Sequence, residues 1–168
     1  MEQFEIERKF LIRRPAEAFL RQRASCTDIL QTYLRAGKGE SARVRRRSDG
    51  TRVQYTHTVK TRLNDRRRIE REREITSEEY EALLQTADPD RRPIEKQRWV
   101  LEYRGQSFEI DVFAFWPHQA YLELELDDEE QAIDFPPEIE ILREVTGDKR
   151  YTNAALARAI PAKDEYEE

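Results

Sequence analysis

The sequence is poor in the residues that build disulfide frameworks and sulfur or imidazole metal sites. It has a single cysteine, Cys26, so no disulfide can form within the chain. One thiol fits a reducing compartment and favours a cytoplasmic protein. The two histidines, His57 and His118, are isolated and lack the spacing of a zinc site. Sulfur and imidazole ligands are therefore effectively unavailable for metal binding.

Long apolar runs and a basic charge excess are also missing. No stretch approaches the ~20 apolar residues of a membrane span, and no signal peptide is visible, so neither membrane insertion nor export is expected. The net charge of -5 at pH 7 argues against a nucleic-acid binder, which normally has a basic surface. The five glycines form neither the P-loop nor the dinucleotide pattern. An anionic ligand would have to be held by side chains.

Charged residues dominate what is present. Of the 168 residues 39% are charged, with 30 basic against 35 acidic, while seven Phe, seven Tyr and two Trp can build a core. This length suits one domain. We predict a single domain over residues 1–161 and an acidic tail over 162–168.

Alternation of apolar and polar residues predicts a mainly β protein. In the first strand Phe4, Ile6 and Phe10 share one face, and Glu7 and Lys9 share the other. The candidate strands are 4–12, 28–35, 41–48, 51–62, 68–75, 94–104, 107–115 and 119–127, with a shorter one at 139–144. Peripheral helices are predicted at 15–24, 76–87, 127–134 and 152–160, the second opening with a capping box.

The polar faces of these strands carry like charges two residues apart, a spacing that puts each pair on one face. The pairs are Glu5 and Glu7, Arg43 and Arg45, Lys60 and Arg62, Glu72 and Glu74, Lys96 and Arg98, Glu109 and Asp111, and Glu123 and Glu125. They could be solvated outer faces. If they line an enclosed barrel, charges of both signs must be present, because each offsets the free-energy cost of burying the other. Carboxylates would then bind a hard divalent cation, and basic groups would neutralise phosphate.

The order of these motifs resembles a known family. Glu5-Ile6-Glu7-Arg8-Lys9 looks like the Glu-x-Glu-x-Lys signature that opens CYTH, or triphosphate tunnel metalloenzyme, domains. The strands that follow resemble that family in sequence order over about residues 3–160. They carry Arg43-Val44-Arg45, Thr58-Val59-Lys60, Glu72-Arg73-Glu74, Lys96-Gln97-Arg98, and the stretches 109–113, 122–125 and 145–153.

The resemblance implies an α+β, mainly β fold with an eight-stranded antiparallel closed β-barrel, a charged lumen and a few peripheral helices. It implies a small anionic triphosphate as the partner and Mg²⁺ or Mn²⁺ as the cofactor, and relatives are often homodimers. The implied metal ligands are Glu5, Glu7, Asp111, Glu123 and Glu125. The implied phosphate ligands are Lys9, Arg43, Arg45, Lys60, Arg62, Lys96 and Arg98.

The resemblance also suggests catalytic groups. Tyr33 occupies a position where some bacterial tripolyphosphatases have a tyrosine beside the signature lysine, here Lys9. With Lys9 against it, the phenol could ionise and act as a base; packing is the alternative role. Glu72 or Glu74 is the competing base, or an ion-pair partner of arginine.

The expected function is hydrolysis of inorganic tripolyphosphate to pyrophosphate and phosphate. Nucleoside or thiamine triphosphatase activity is the first alternative. A class IV adenylyl cyclase typically has a His-Phe pair upstream of the signature, where this chain has only Met1 to Phe4. A non-catalytic polyphosphate-binding module is the third alternative, although it would lose acidic ligands that this chain keeps.

Overall fold

The computed structural model describes residues 6–64 and 67–158, which form a mainly β, antiparallel protein with a few short helices. The strands are β1 (Ile6–Arg13), β2 (Ala24–Leu34), β3 (Glu40–Ser48), β4 (Val53–Arg62), β5 (Arg68–Ile75), β6 (Ile94–Tyr103), β7 (Gln106–Phe113), β8 (Gln119–Leu126) and β9 (Ile141–Glu144). The helices are α1 (Glu17–Arg23), α2 (Ser77–Leu84), α3 (Asn153–Arg158) and a 3₁₀ turn at Lys149–Tyr151.

The mainly β prediction is confirmed, but the expected eight-stranded closed barrel needs correction. Each of the nine candidate strand ranges overlaps an observed strand, so the described residues form nine strands. The additional strand is the short β9, which pairs with β1. Among the described residues β5 pairs only with β4 and β9 only with β1, and no pairing joins these two strands.

The described residues fall into two compact units. The first contains residues 6–27 and 96–152, and its strand order is β6-β7-β8-β1-β9. The second contains residues 28–64, 67–95 and 153–158, with the order β5-β4-β3-β2.

The first unit has an apolar face and a charged face on the same strands. Its core joins alternate residues of β1, β6, β7 and β8 and includes Phe10, Leu101, Phe108, Ile110 and Leu122. Because side chains alternate across a strand, the residues between these core positions face the other way.

The strands of the second unit also have an apolar face and a charged face. Leu34, Val44 and Ile75 pack with Tyr80 of α2 on one face. Helix α2 begins as predicted, with Thr76 Oγ1 accepting the N–H of Glu79 at 3.1 Å. It ends earlier than expected, at Leu84, in turns with i to i+3 hydrogen bonds.

The helix predicted at 127–134 was wrong, because that segment forms bends and turns. The N–H of Asp127 donates to Gln131 Oε1 at 2.8 Å, and the N–H of Glu130 donates to Asp128 Oδ1 at 2.9 Å. These local hydrogen bonds from side chain to backbone hold the segment in turns in place of a helix.

In the part of the chain that the structure describes, no helix combines the length and apolar character needed to cross a membrane.

Candidate functional site

Four carboxylates gather on the charged face of the first unit. The strand register places Glu7 opposite Glu125 and Glu109 opposite Glu123. Together they line a cavity of about 400 Å³. The start of β7 and the loop after β8 add further polar residues to the lining, namely Gln106, Ser107, Asp127 and Gln131. We call the four carboxylates the acidic cluster.

The acidic cluster is crowded with like charge. The pKa of Glu7 is raised to about 8, chiefly by a hydrogen bond shared with Glu123, and further by burial and by repulsion from Glu123, Glu125 and Glu109. A raised carboxyl pKa means that the ionised form lacks sufficient positive charge nearby. The cluster is therefore expected to take up either a proton or a cation.

Carboxylate oxygens suit a hard divalent cation such as Mg²⁺ or Mn²⁺. Within residues 6–64 and 67–158, no three His, Cys, Asp or Glu side chains form a ready-made metal site. The expectation that the acidic cluster binds a divalent cation therefore rests on its carboxylate oxygens and on its unneutralised negative charge. Glu7, Glu123 and Glu125, three of the predicted ligands, lie together there, whereas Glu5 lies outside the described residues.

Asp111 differs from the acidic cluster because basic side chains pair with it. It accepts from Lys96 Nζ at 2.9 Å and from Arg98 Nε and Nη2 at 2.8 and 3.0 Å. Although burial alone would raise its pKa, the charges of Lys96 and Arg98 hold the pKa of Asp111 well below its usual range. Both oxygens of this predicted metal ligand are thus taken up by two of the predicted phosphate ligands. We call Lys96, Arg98 and Asp111 the buried triad.

The acidic residue that the sequence reasoning did not choose as a ligand is Glu109. It belongs to the same two-residue pair as Asp111, and spacing alone gives no reason to prefer either. The pairing register distinguishes their positions, because it puts Glu109 opposite Glu123 and Asp111 opposite Tyr121.

Lys9 is mostly buried on the same face as the acidic cluster. Burial lowers its pKa, an effect that the charges of Glu123, Asp111 and Glu7 partly offset. Its Nζ donates to the backbone carbonyl of Tyr151 at 2.7 Å and lies 4.0 Å from the centre of the Tyr121 ring.

The second unit gathers most of its predicted basic residues on the face opposite α2. One row across the strands contains Tyr33, Arg43, Thr58 and Glu72. The next rows contain Gln31, Arg45, Thr56 and Glu74 on one side, and Ser41, Lys60 and Glu70 on the other. Arg62 follows Lys60 on this face, is exposed, and its Nε donates to Asn64 O at 3.4 Å.

Glu72 is held in its ionised form by its neighbours. It accepts from Thr58 Oγ1 at 2.7 Å, and Arg45 Nη2 lies 3.4 Å from the same oxygen. The Thr58 hydrogen bond is the main cause that lowers the pKa of Glu72, with Arg45 and Arg43 adding to it. Glu74, the other candidate base, is exposed.

Tyr33 is buried, with 4% of its surface exposed. Its phenol oxygen accepts from Gln31 Nε2 at 2.9 Å, and the guanidinium of Arg91 lies 4.9 Å from the ring centre. Sequence reasoning missed both neighbours. The strand alternation could have indicated Gln31, two residues away on the same face, whereas no local pattern indicates Arg91. The proposed pairing of Tyr33 with Lys9 stays a prediction.

Comparison with known proteins adds an independent finding. No protein-family model and no curated protein matches the chain. Two solved structures match nearly all of it. One, described as the inorganic triphosphatase NE1496, is 33% identical, covers 95% of this chain and 98% of its own, and has a TM-score of 0.68. The other, described as the hypothetical protein NE1496, is 34% identical with coverage of 94% and 100% and a TM-score of 0.66.

The likeness extends over almost the full length of both chains at more than 30% identity. The motif order, the antiparallel strands and the rows of acidic and basic side chains along them agree with it. The chain therefore belongs to the CYTH, or triphosphate tunnel metalloenzyme, family.

Proposed function

We propose that this chain hydrolyses the terminal phosphate of a linear triphosphate with the help of Mg²⁺ or Mn²⁺, and that inorganic tripolyphosphate is its preferred substrate. The observation that carries the proposal is the acidic cluster, four carboxylates around one cavity with a Glu7 pKa raised to about 8. The likeness to a protein described as an inorganic triphosphatase supports the choice of reaction.

The metal is assigned to the acidic cluster. Glu7, Glu123 and Glu125 are the proposed ligands together with Glu5, and Glu109 replaces Asp111, whose oxygens are engaged by Lys96 and Arg98. A divalent cation bound there would supply positive charge and lower the pKa of a water molecule. The surrounding protein supplies the oxygen donors and fixes their positions.

The phosphate charges are assigned to basic side chains that face away from the cores. Phosphoryl transfer depends mainly on positioning and charge neutralisation, and Arg and Lys provide both. In the second unit these are Arg43, Arg45, Lys60 and Arg62, and in the first unit Lys9. Lys96 and Arg98 act mainly as counter-ions of Asp111, since the Lys96 side chain has no exposed surface.

Proton transfer is assigned to Tyr33. Its phenolate would take a proton from water as the water oxygen attacks the terminal phosphorus and the bond to the bridging oxygen breaks. Pyrophosphate and phosphate are then the products. Glu72 is the weaker candidate because Thr58 and Arg45 already occupy one of its oxygens.

Substitution of Tyr33 by phenylalanine tests this role. We expect kcat for tripolyphosphate to fall by about 100-fold, the usual contribution of a general base, while KM changes little. Glu72→Gln is the comparison variant, and steady-state phosphate release is the measurement. A normal rate in Tyr33→Phe combined with a large loss in Glu72→Gln would transfer the role to Glu72.

A phosphate-release panel tests the substrate. Tripolyphosphate, pyrophosphate, ATP and thiamine triphosphate are each supplied with Mg²⁺, Mn²⁺ or EDTA. We expect the highest turnover on tripolyphosphate, little on pyrophosphate and none with EDTA, because the acidic cluster then lacks its cation. Preference for ATP or thiamine triphosphate would select those alternatives, cyclic AMP as a product would select the cyclase, and binding without turnover would select the non-catalytic module.

A further inference from the structure

Lys9 is fixed to a segment more than 130 residues away along the chain. Its backbone N–H donates to Thr146 Oγ1 at 2.9 Å, and its carbonyl accepts the N–H of Val145 at 2.8 Å. Its ammonium donates to the carbonyl of Tyr151 at 2.7 Å. The segment that follows β9 therefore holds both the main chain and the side chain of Lys9.

The ring of Tyr121 provides a second contact for the same ammonium. Tyr121 lies on β8, two residues from Glu123, and its ring centre is 4.0 Å from Lys9 Nζ. Such a position over an aromatic face is attractive because the ring carries partial negative charge there. The Tyr121 side chain is 2% exposed, and its hydroxyl has no hydrogen-bond partner within the described part of the chain. The ring, and not the hydroxyl, carries this contact.

Tyr151 is itself held in place. Arg143 donates from Nη2 to the Tyr151 hydroxyl, and its guanidinium lies 4.8 Å from the centre of that ring. The 3₁₀ turn that contains Tyr151 is capped by Asp148, which accepts the N–H of Arg150 at 3.1 Å. The carbonyl that receives Lys9 is thus presented by an ordered turn.

We propose that Tyr121 and Tyr151 are positioning residues that hold the Lys9 ammonium ready for a phosphate group. This inference rests on the proposed function, in which Lys9 contacts the triphosphate. A lysine is a point charge on a flexible stem, so fixing it in advance lowers the entropy lost on binding. One of the three ammonium donors is used by Tyr151, which leaves two for phosphate oxygens.

Variants at position 121 separate the ring from the hydroxyl. Tyr121→Phe keeps the ring and is the conservative variant, expected to retain the wild-type KM for tripolyphosphate. Tyr121→Leu removes the ring, and we expect KM to rise about tenfold with kcat nearly unchanged. Because leucine leaves space among Phe113, Trp116 and Tyr151, pentafluorophenylalanine at position 121 is the matched variant that keeps the volume and reverses the charge distribution of the ring.

A second readout does not depend on turnover. The ε-methylene protons of Lys9, assigned by their loss in Lys9→Arg, should be shifted upfield by the Tyr121 ring in NMR spectra of the substrate-free protein. The shift should persist in Tyr121→Phe and vanish in Tyr121→Leu. Melting temperatures of all variants show whether each is folded.

The outcomes distinguish this inference from the proposed function. A folded pentafluorophenylalanine variant with the wild-type KM, or Lys9 protons without an upfield shift in the wild type, would overturn the positioning role. A wild-type protein that hydrolyses no triphosphate but shows the shift would overturn the proposed function and leave the Lys9 contact established.

Discussion

Substitution of Glu7 by glutamine is expected to abolish tripolyphosphate hydrolysis and, at the same time, to stabilise the metal-free protein. The loss should be at least about 1000-fold in kcat/KM, because a charged ligand is removed from the proposed metal site and a cation bound there would neutralise negative charge in the transition state. Glutamine keeps the size of the side chain, so the fold should be unchanged. Phosphate release with Mg²⁺ is the measurement.

The gain in stability follows from the pKa of Glu7, which is raised to about 8 by the other carboxylates. A carboxyl whose pKa is higher in the folded than in the unfolded protein stabilises the fold at low pH, and this contribution is lost as the pH rises to about 8. Glutamine does not ionise. In EDTA, the melting temperature of Glu7→Gln should therefore match the wild type near about pH 4 and exceed it increasingly up to about pH 8, the raised pKa of Glu7.

The control is Glu17→Gln on α1, which removes an exposed carboxylate paired with Arg21. It should change neither turnover nor the pH dependence of melting, since exposed pairs contribute little. Full turnover by a folded Glu7→Gln protein would remove Glu7 from the metal site. A stability difference that does not depend on pH would show that the acidic cluster is not crowded in solution.

Asp111→Asn is expected to destabilise the protein strongly. It would leave the buried ammonium of Lys96 and the largely buried guanidinium of Arg98 facing a neutral amide. Breaking a buried ion pair in this way costs about 3–5 kcal/mol. Urea denaturation at neutral pH should show this loss in the free energy of unfolding.

The pH dependence of the free energy of unfolding is an independent test of this stabilisation by Asp111. Lys96 and Arg98 lower the pKa of Asp111 in the folded protein, so its contribution is present above the ordinary aspartate pKa of about 3.9 and is lost as the pH falls below that value. The difference between wild type and Asp111→Asn should therefore be constant near neutrality and shrink only in acid.

A double variant separates the cost of an unpaired charge from the value of the ion pairs. In Lys96→Met/Asp111→Leu one charge of each sign is removed, so part of the stability lost in Asp111→Asn should return. No recovery would show that Arg98 depends on Asp111 for more than charge balance.

The sequence predicted the strands and the charged faces well, because alternation depends only on the geometry of a single strand. Each candidate range overlaps a strand, and Glu7, Glu123 and Glu125 line one cavity. It predicted less well where the outcome depends on which strand residues lie opposite each other. Which of Glu109 and Asp111 lies opposite Glu123 depends on the register of β7 with β8, which no spacing within β7 reveals.

Two other differences have physical causes that lie outside local patterns. The 127–134 segment has helical composition, but the side chains of Asp128 and Gln131 accept the N–H groups of Glu130 and Asp127 and hold the segment in turns. Arg91 contacts Tyr33 from a loop far along the chain, and its neighbours in sequence give no sign of an aromatic partner. Both depend on side-chain contacts that form only once the chain has folded.

The outermost strand of the second unit has a further consequence for behaviour at high concentration. Strand β5 pairs only with β4 among the described residues. The outer edge of such a strand can pair with a strand of a second polypeptide and start aggregation. Its sequence Arg-Ile-Glu-Arg-Glu-Arg-Glu-Ile is charged at six of its eight positions. Those charges make the addition of another strand unfavourable, so the sequence of β5 opposes aggregation.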